Sequence, residues 1–405
     1  GAYGYLLALA LILLFTKIFG LATAHVHLPQ VVGALIAGIL LGPSGIGILH
    51  ETDFLVKTAE IGVIMLMFIA GIDTDINELK HTGPAACLIA AIGVFVPIIG
   101  CGGVYFLFFE DSFTYANIIK ASFVGIVFAA TSVSITVETL NEMGKLKTRV
   151  GATLLSAAII DDIIGIVVLS VLSALGDSSV NPGIVVLKIL GFFVFAGIVG
   201  FIVYKLFKKI SINHGTSRRV AVWAMAFCFI MAYCAERFFG VADITGAYFA
   251  GVILCNVTKM RQYVAKKVTA ASYLVFSPVF FANIGLKTDL SGINSEIIVF
   301  AAVLAVMAVL TKIIGCGLGA KICRMSNHES LVVGVGMVAR GEGALMVAQK
   351  GIDSGNIDPK VFPAIVLCVV IAALLTPVLL KLVISHGPSG GGENKKTVDR
   401  TPVTV

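Results

Sequence analysis

Long, uninterrupted runs of apolar residues recur along the chain, separated by short polar segments that carry most of the charge. The runs fall at about 3–23, 28–48, 55–76, 83–108, 115–138, 149–175, 183–207, 217–238, 241–258, 266–287, 294–322, 329–350 and 361–385. Each is close to the ~20 residues a helix needs to cross ~30 Å of hydrocarbon, and they lack the alternation expected of strands in a membrane barrel. The pattern predicts an all-α polytopic membrane protein with about 13 transmembrane helices. The first run is too long for a cleavable signal and has no basic leader, so it reads as a true span.

An odd number of spans permits a particular symmetry: two inverted six-helix repeats joined by one linking helix, with a binding site near the midplane where the repeats meet. The fifth and twelfth predicted spans hold equivalent places in such repeats, and both are interrupted at mid-depth. In the fifth, Ala129–Val137 crowds hydroxyls and β-branched residues together; in the twelfth, Gly334–Gly343 holds Gly334, Gly336, Gly341 and Gly343 beside Arg340 and Glu342. Both stretches are poor helix formers, and unwinding there would present half-helix ends and free carbonyls to a cation.

Composition agrees with the pattern. Of the 405 residues, 58% are hydrophobic and only 13% charged, against about a quarter charged in soluble proteins. The net charge of +6 matters less than where the basic residues stand. Alternate loops hold Lys80, Lys145, Lys147, Arg149, Lys205, Lys208, Lys209, Arg218, Arg219, Lys259, Arg261, Lys266, Lys267, Lys321 and Arg324, while the opposite loops hold only Lys57, Arg237, Lys287, Lys350 and Lys360. By the positive-inside rule the N-terminus is outside and the C-terminus cytoplasmic, in a cell membrane. The eight cysteines lie in apolar segments without metal-ligand spacing and read as small core residues. Residues 1–387 form the membrane transporter; 388–405, polar and rich in Gly and Ser, read as a disordered tail or a cloning remnant.

The chemistry concentrates in three places. Asp161 and Asp162 are adjacent in the middle of the sixth run, where each ionised carboxylate costs at least ~2.5 kcal/mol unless paired, hydrated or bound to an ion. Lys312 lies too deep in the eleventh run to snorkel easily and needs a buried carboxylate. Adjacent helical residues point about 100° apart, so the two aspartates have different roles: one can hold Lys312 while the other faces water and takes a proton or a small cation. Thr131, Ser132 and Ser134 either pack helices or contribute oxygens to that cation. Arg340 and Glu342 read as a structural ion pair at the broken twelfth span. Carboxylate, hydroxyl and carbonyl oxygens suit alkali cations and not soft transition metals. The histidines fall in loops or helix ends, and Glu60, Asp73, Glu236 and Asp243 lie near predicted ends, where solvation or capping explains them.

Taken in order, Leu28-Pro29-Gln30-Val31-Val32-Gly33, Leu41-Gly42-Pro43-Ser44, Phe68–Asp73, the Thr131-Ser132 break, Asp161-Asp162, Gly246–Gly251, Phe280–Leu286, Lys312 and Arg340-Gly341-Glu342 span nearly the whole chain. With these the sequence resembles the monovalent cation/proton antiporter-2 family, and within it the bacterial Na+/H+ antiporters with an Asp-Asp ion site. The resemblance implies a homodimer with an interleaved dimerisation domain (about 1–80 and 183–287) and a core ion-transport domain (about 83–175 and 294–385) in which two discontinuous helices cross. It also implies that Asp162 is the ion-binding carboxylate and that Asp161 holds Lys312. Potassium-efflux relatives usually carry Gln-Asp here and add a nucleotide-binding domain, and both departures favour Na+.

The expected activity is secondary active exchange of Na+, with Li+ a further candidate, for H+. Asp162 and Asp161, helped by Thr131 and Ser132, bind cation or proton in competition, and the core moves elevator-like against the dimerisation domain. If Lys312 also releases a proton, the exchange is electrogenic. Alternatives are K+/H+ exchange and sodium-coupled symport of an organic solute. With no nucleophile–base pair or metal cluster in the spans, an enzyme is not expected; nor is a cofactor, beyond the transported ions, or a nucleic acid partner. Membrane lipid, monovalent cations and a second copy of the chain are the expected partners.

Overall fold

The computed structural model describes residues 3–26, 30–74, 76–176, 181–241, 243–287 and 293–387. The Leu28-Pro29 pair and the segment 388–405 singled out above lie outside the described residues. The described residues form sixteen α-helices: α1 (Gly4–His25), α2 (Gln30–Leu41), α3 (Asp53–Ile72), α4 (Ile76–Phe109), α5 (Tyr115–Ala129), α6 (Val133–Glu142), α7 (Arg149–Gly176), α8 (Pro182–His214), α9 (Arg218–Phe239), α10 (Asp243–Leu254), α11 (Thr258–Ala271), α12 (Ser277–Leu286), α13 (Ser295–Ile322), α14 (Asn327–Gly336), α15 (Glu342–Asp353) and α16 (Phe362–Ser385). No strand occurs among the described residues.

The helix ends follow local chemistry. Thr52, Thr114 and Asn294 accept backbone N–H groups at the starts of α3, α5 and α13, and Ser326 with Glu329 forms a capping box at α14. Gly240 ends α9 in the left-handed conformation, φ 62°. Each predicted apolar run contains helix, although the second, 28–48, is helical from Gln30 to Leu41 and then turns. Both interruptions are real: the chain leaves helical geometry at Ala130–Ser132, between α5 and α6, and again at Met337–Gly341, between α14 and α15. A third departure carried no sequence signal: Ser272–Phe276 forms a π-turn that joins α11 to α12.

Ten helical stretches among the described residues are long and apolar enough to cross a membrane, and α2 and α10 are shorter apolar helices. α1 and α8 turn outward faces of Leu7, Leu14, Leu187, Leu190, Val194 and Phe201, which hydrocarbon or another apolar surface would cover. The helices pack as two groups. α1–α3 lie against α9–α12, whereas α4 lies against α5, α7 and α13, with α6 and α14–α16 beside them. α8 packs on α9 and α10, and the groups meet where α2 and α3 approach α6, where α2 approaches α16 and where α8 touches α7.

Candidate functional site

The two breaks lie against each other. The Ser132 N–H donates to the Ala339 carbonyl over 2.6 Å, Thr131 Oγ1 to the Met337 carbonyl over 3.2 Å, and Thr136 Oγ1 to the Gly336 carbonyl over 2.6 Å. The hydroxyls that make the first segment a poor helix thus satisfy carbonyls that unwinding frees in the second. Ser132 Oγ also lies 3.3 Å from Ser134 Oγ. The second strand of the crossing approaches so closely that a Cβ on Gly341 would lie 2.8 Å from Ser132 Oγ.

Arg340 is wholly buried at this crossing. Its Nε donates to the Phe128 carbonyl over 3.0 Å and its Nη2 to the Ala308 carbonyl over 3.1 Å, while Nη1 reaches the Val338 carbonyl. Phe128 is in the last turn of α5 and Val338 just follows α14, so the guanidinium faces two helix C-terminal ends, where partial negative charge gathers. The bonds described for Arg340 therefore run to the backbone; the Glu342 side chain lies outside the described residues, although Glu342 does open α15.

Asp161 and Lys312 meet beside the breaks. Both are 0% exposed, and Lys312 Nζ donates to Asp161 Oδ1 over 3.0 Å. The other carboxylate oxygen, Asp161 Oδ2, is buried without a hydrogen-bond partner among the described residues. Thr131 faces Asp161, and its hydroxyl also lies 3.2 Å from the Met337 carbonyl. Asp162, the next residue of α7, is partly exposed. One aspartate thus holds the lysine and the other opens towards a less enclosed space, as the 100° step between helical neighbours requires.

Lys312 is positioned by tight packing of α13 on α4. A Cβ on Gly93 of α4 would come within 2.3 Å of Cys316 Sγ, one turn from Lys312, and 3.7 Å from Lys312 Nζ. A cleft between the two helix groups is lined by Asp73, Thr74 and Tyr248 on one side and by Lys147, Ala152, Leu155 and Ser156 on the other. Thr74 and Tyr248 hydroxyls are 3.2 Å apart there, and Lys147 stands 3.7 Å from Asp73. Of the other acids near span ends, Glu60 pairs with Lys57, Asp243 accepts the Ile244 N–H, and Glu236 is exposed.

Glu138 is a buried acid that the hydropathy pattern along the chain does not single out. It is 2% exposed and accepts a hydrogen bond from the Tyr273 hydroxyl. Its place at the edge of a predicted run disguised its burial; the one available signal was an acidic side chain within an otherwise apolar and hydroxylic stretch.

The profile described as "Sodium/hydrogen exchanger, transmembrane" matches residues 7–385. The Na(+)/H(+)-K(+) antiporter GerN of Bacillus cereus is 37% identical over 94% of this chain and 96% of its own. The Na(+)/H(+) antiporter of Enterococcus hirae is 34% identical over 92% of this chain and 96% of its own. Among solved structures, the sodium proton antiporter MjNhaP1 from Methanocaldococcus jannaschii has the same fold, with a TM-score of 0.70 at 20% identity over 94% of this chain and 96% of the other. With its interrupted helices meeting beside a buried lysine–aspartate pair, the chain belongs to the sodium/hydrogen exchanger family of multi-pass membrane transporters.

Proposed function

We propose that this protein exchanges Na+, and Li+ as a second candidate, for H+ at Asp162 and Asp161. The observation that carries the reading is the unpartnered, buried Oδ2 of Asp161, next to the more open Asp162 and bounded by the two helix breaks. An anionic oxygen in that setting is stabilised by a proton or a small cation, and the two exclude each other. Thr131 and Ser132 oxygens complete the coordination. Lys312 offsets one negative charge while the site is empty; if its proton also leaves when Na+ binds, more than one proton moves per Na+ and the exchange is electrogenic.

The same reading assigns the helix groups. α4–α7 with α13–α16 form the core, and α1–α3 with α8–α12 form the dimerisation domain of a homodimer. The core moves elevator-like, and the cleft at Asp73, Tyr248 and Ser156 is the way in. The α5–α6 and α14–α15 breaks fall in the fifth and twelfth of thirteen passes if α2, α10 and the α14–α15 pair each cross. That placement supports two inverted halves. The excess of Lys and Arg on one side supports a cell-membrane orientation with the N-terminus outside and the C-terminus cytoplasmic. No resident cofactor is needed.

The test uses proteoliposomes with an imposed pH gradient. Na+ or Li+ should dissipate it, K+ should do so less well, and Asp162→Asn should lose the response. Unchanged activity in Asp162→Asn would overturn the site. Equal dissipation by K+ would favour K+/H+ exchange, K+ being part of the name of the GerN relative. Indifference of the rate to membrane potential would rule out electrogenic exchange.

A further inference from the structure

A second polar contact, away from Asp161, joins the two helix groups. Glu138 on α6 accepts from the Tyr273 hydroxyl, and Asn141 Nδ2 donates to that same hydroxyl over 3.4 Å. One turn beyond Glu138, Glu142 Oε2 accepts the Gln30 N–H at the start of α2 over 2.9 Å, and Lys381 of α16 faces Glu142. Positions 138, 141 and 142 share one face of α6, so that face meets the other group through directional hydrogen bonds.

The opposing side is built to receive it. Tyr273 stands in the π-turn Ser272–Phe276, and the buried Ser272 and Ser277 hydroxyls, 2.7 Å apart, close that turn on itself. Widened turns of this kind re-aim side chains and are frequent at functional positions. At 1.5 Å per residue, Glu138 is roughly 9 Å along α6 from Ser132, so it acts on the ion site only through the helix.

Burying a carboxylate costs free energy unless hydrogen bonds compensate, and an apolar interface would slide more easily. A directional Tyr–Glu bond does what apolar contact does not: it favours one relative position. The geometry points to a latch in which Tyr273, backed by Asn141, holds α6 and therefore the core in the position seen here, and releases it in every exchange cycle. The latch rests on the reading that α4–α7 and α13–α16 move against the remaining helices. Glu138 and Tyr273 are positioning residues and do not touch the cation.

The experiment reads the position of the core directly. Cysteines replacing Asp73 and Lys147, whose side-chain ends stand 3.7 Å apart across the same two groups, report this position by cross-linking with a short bifunctional methanethiosulfonate, which spans the gap the shorter cysteine side chains leave and is removed by reductant. The exposed or half-exposed Cys87, Cys234 and Cys323 are changed to Ser beforehand. Tyr273→Phe removes the hydroxyl and keeps the ring. Loss of one hydrogen bond to a carboxylate should shift the equilibrium about tenfold away from this position and slow cross-linking. Glu138→Gln, which keeps an acceptor oxygen, should slow it less. Cross-linking at an unchanged rate in Tyr273→Phe would overturn the latch. The cross-linked pair should itself stop exchange in proteoliposomes, and reduction should restore it. If exchange persists with the cross-link formed, the moving-core reading fails, and the latch with it. If the cross-link stops exchange but Tyr273→Phe cross-links normally, the latch alone fails.

Discussion

Lys312 Nζ stands 3.0 Å from Asp161 Oδ1 with both side chains wholly buried, while Asp161 Oδ2 has no partner among the described residues. The pair is thus half satisfied: one carboxylate oxygen is spent on a fixed charge and the other is available. Deleting either partner of such a pair leaves an uncompensated charge, at a cost of about 3–5 kcal/mol, whereas deleting both costs far less. Lys312→Met and Asp161→Asn should each lower the apparent thermal midpoint in detergent strongly, and the double variant should fall well short of the sum. A strictly additive cycle would mean that the two groups do not interact.

The crossing of the breaks makes a sharp distinction between two neighbouring glycines. A Cβ at Gly341 would press to 2.8 Å on Ser132 Oγ, whereas one at Gly343 would meet nothing within 4 Å. Gly343 also lies in α15, where alanine is the better helix former by about 1 kcal/mol. Gly341→Ala should cut Na+-driven proton flux by roughly an order of magnitude, the loss expected when a site group shifts by a fraction of an ångström. Gly343→Ala should keep the flux and hold or raise stability. Equal losses in the two would indicate that the approach to Ser132 is not limiting.

Arg340 reaches carbonyls of three segments, Phe128, Ala308 and Val338, through separate nitrogens. A lysine at this position carries the same charge but presents its donors from one point, so it cannot hold all three at once. Arg340→Lys should therefore leave at least one buried carbonyl unpaired and cost roughly 1–3 kcal/mol. The measurement is the thermal midpoint, together with hydrogen exchange at Met337–Gly341, where protection should fall. Unchanged midpoint and protection would remove Arg340 from this role.

Helix positions and both breaks could be read along the chain because they arise from local causes. Apolar length sets the spans, and Thr131, Ser132 and the glycines around Arg340 weaken the helix where they stand. The depth of Lys312 likewise followed from its flanking apolar residues. What the sequence left open is long-range. Geometry required the two aspartates to differ, but which of them holds Lys312 depends on how α7 turns towards α13, and only the family resemblance named Asp161. The backbone carbonyls that hold Arg340 belong to residues with no polar side chain to announce them. Glu138 and Tyr273 are 135 positions apart, and their meeting depends on a π-turn whose Ser-Tyr-Leu-Val-Phe composition reads as ordinary span.

The seat of Lys312 offers a test in which one substitution repairs another. Gly93→Ala would drive a methyl to 2.3 Å from Cys316 Sγ while remaining 3.9 Å from Cys316 Cβ, an ordinary contact distance. The clash is therefore with the sulfur alone. Gly93→Ala by itself should push α4 off α13 and cost about 1–3 kcal/mol, as overpacking of a filled core does. It should also weaken exchange, because the displaced segment is where Lys312 meets Asp161. Cys316→Ala by itself removes one buried atom and should cost less, on the order of 1 kcal/mol. The double variant places the new methyl in the space the sulfur leaves, so both the thermal midpoint and Na+-driven flux should recover towards the parent protein. If the double variant were no better than Gly93→Ala, backbone at α4, and not Cys316 Sγ, would be setting the distance between these helices.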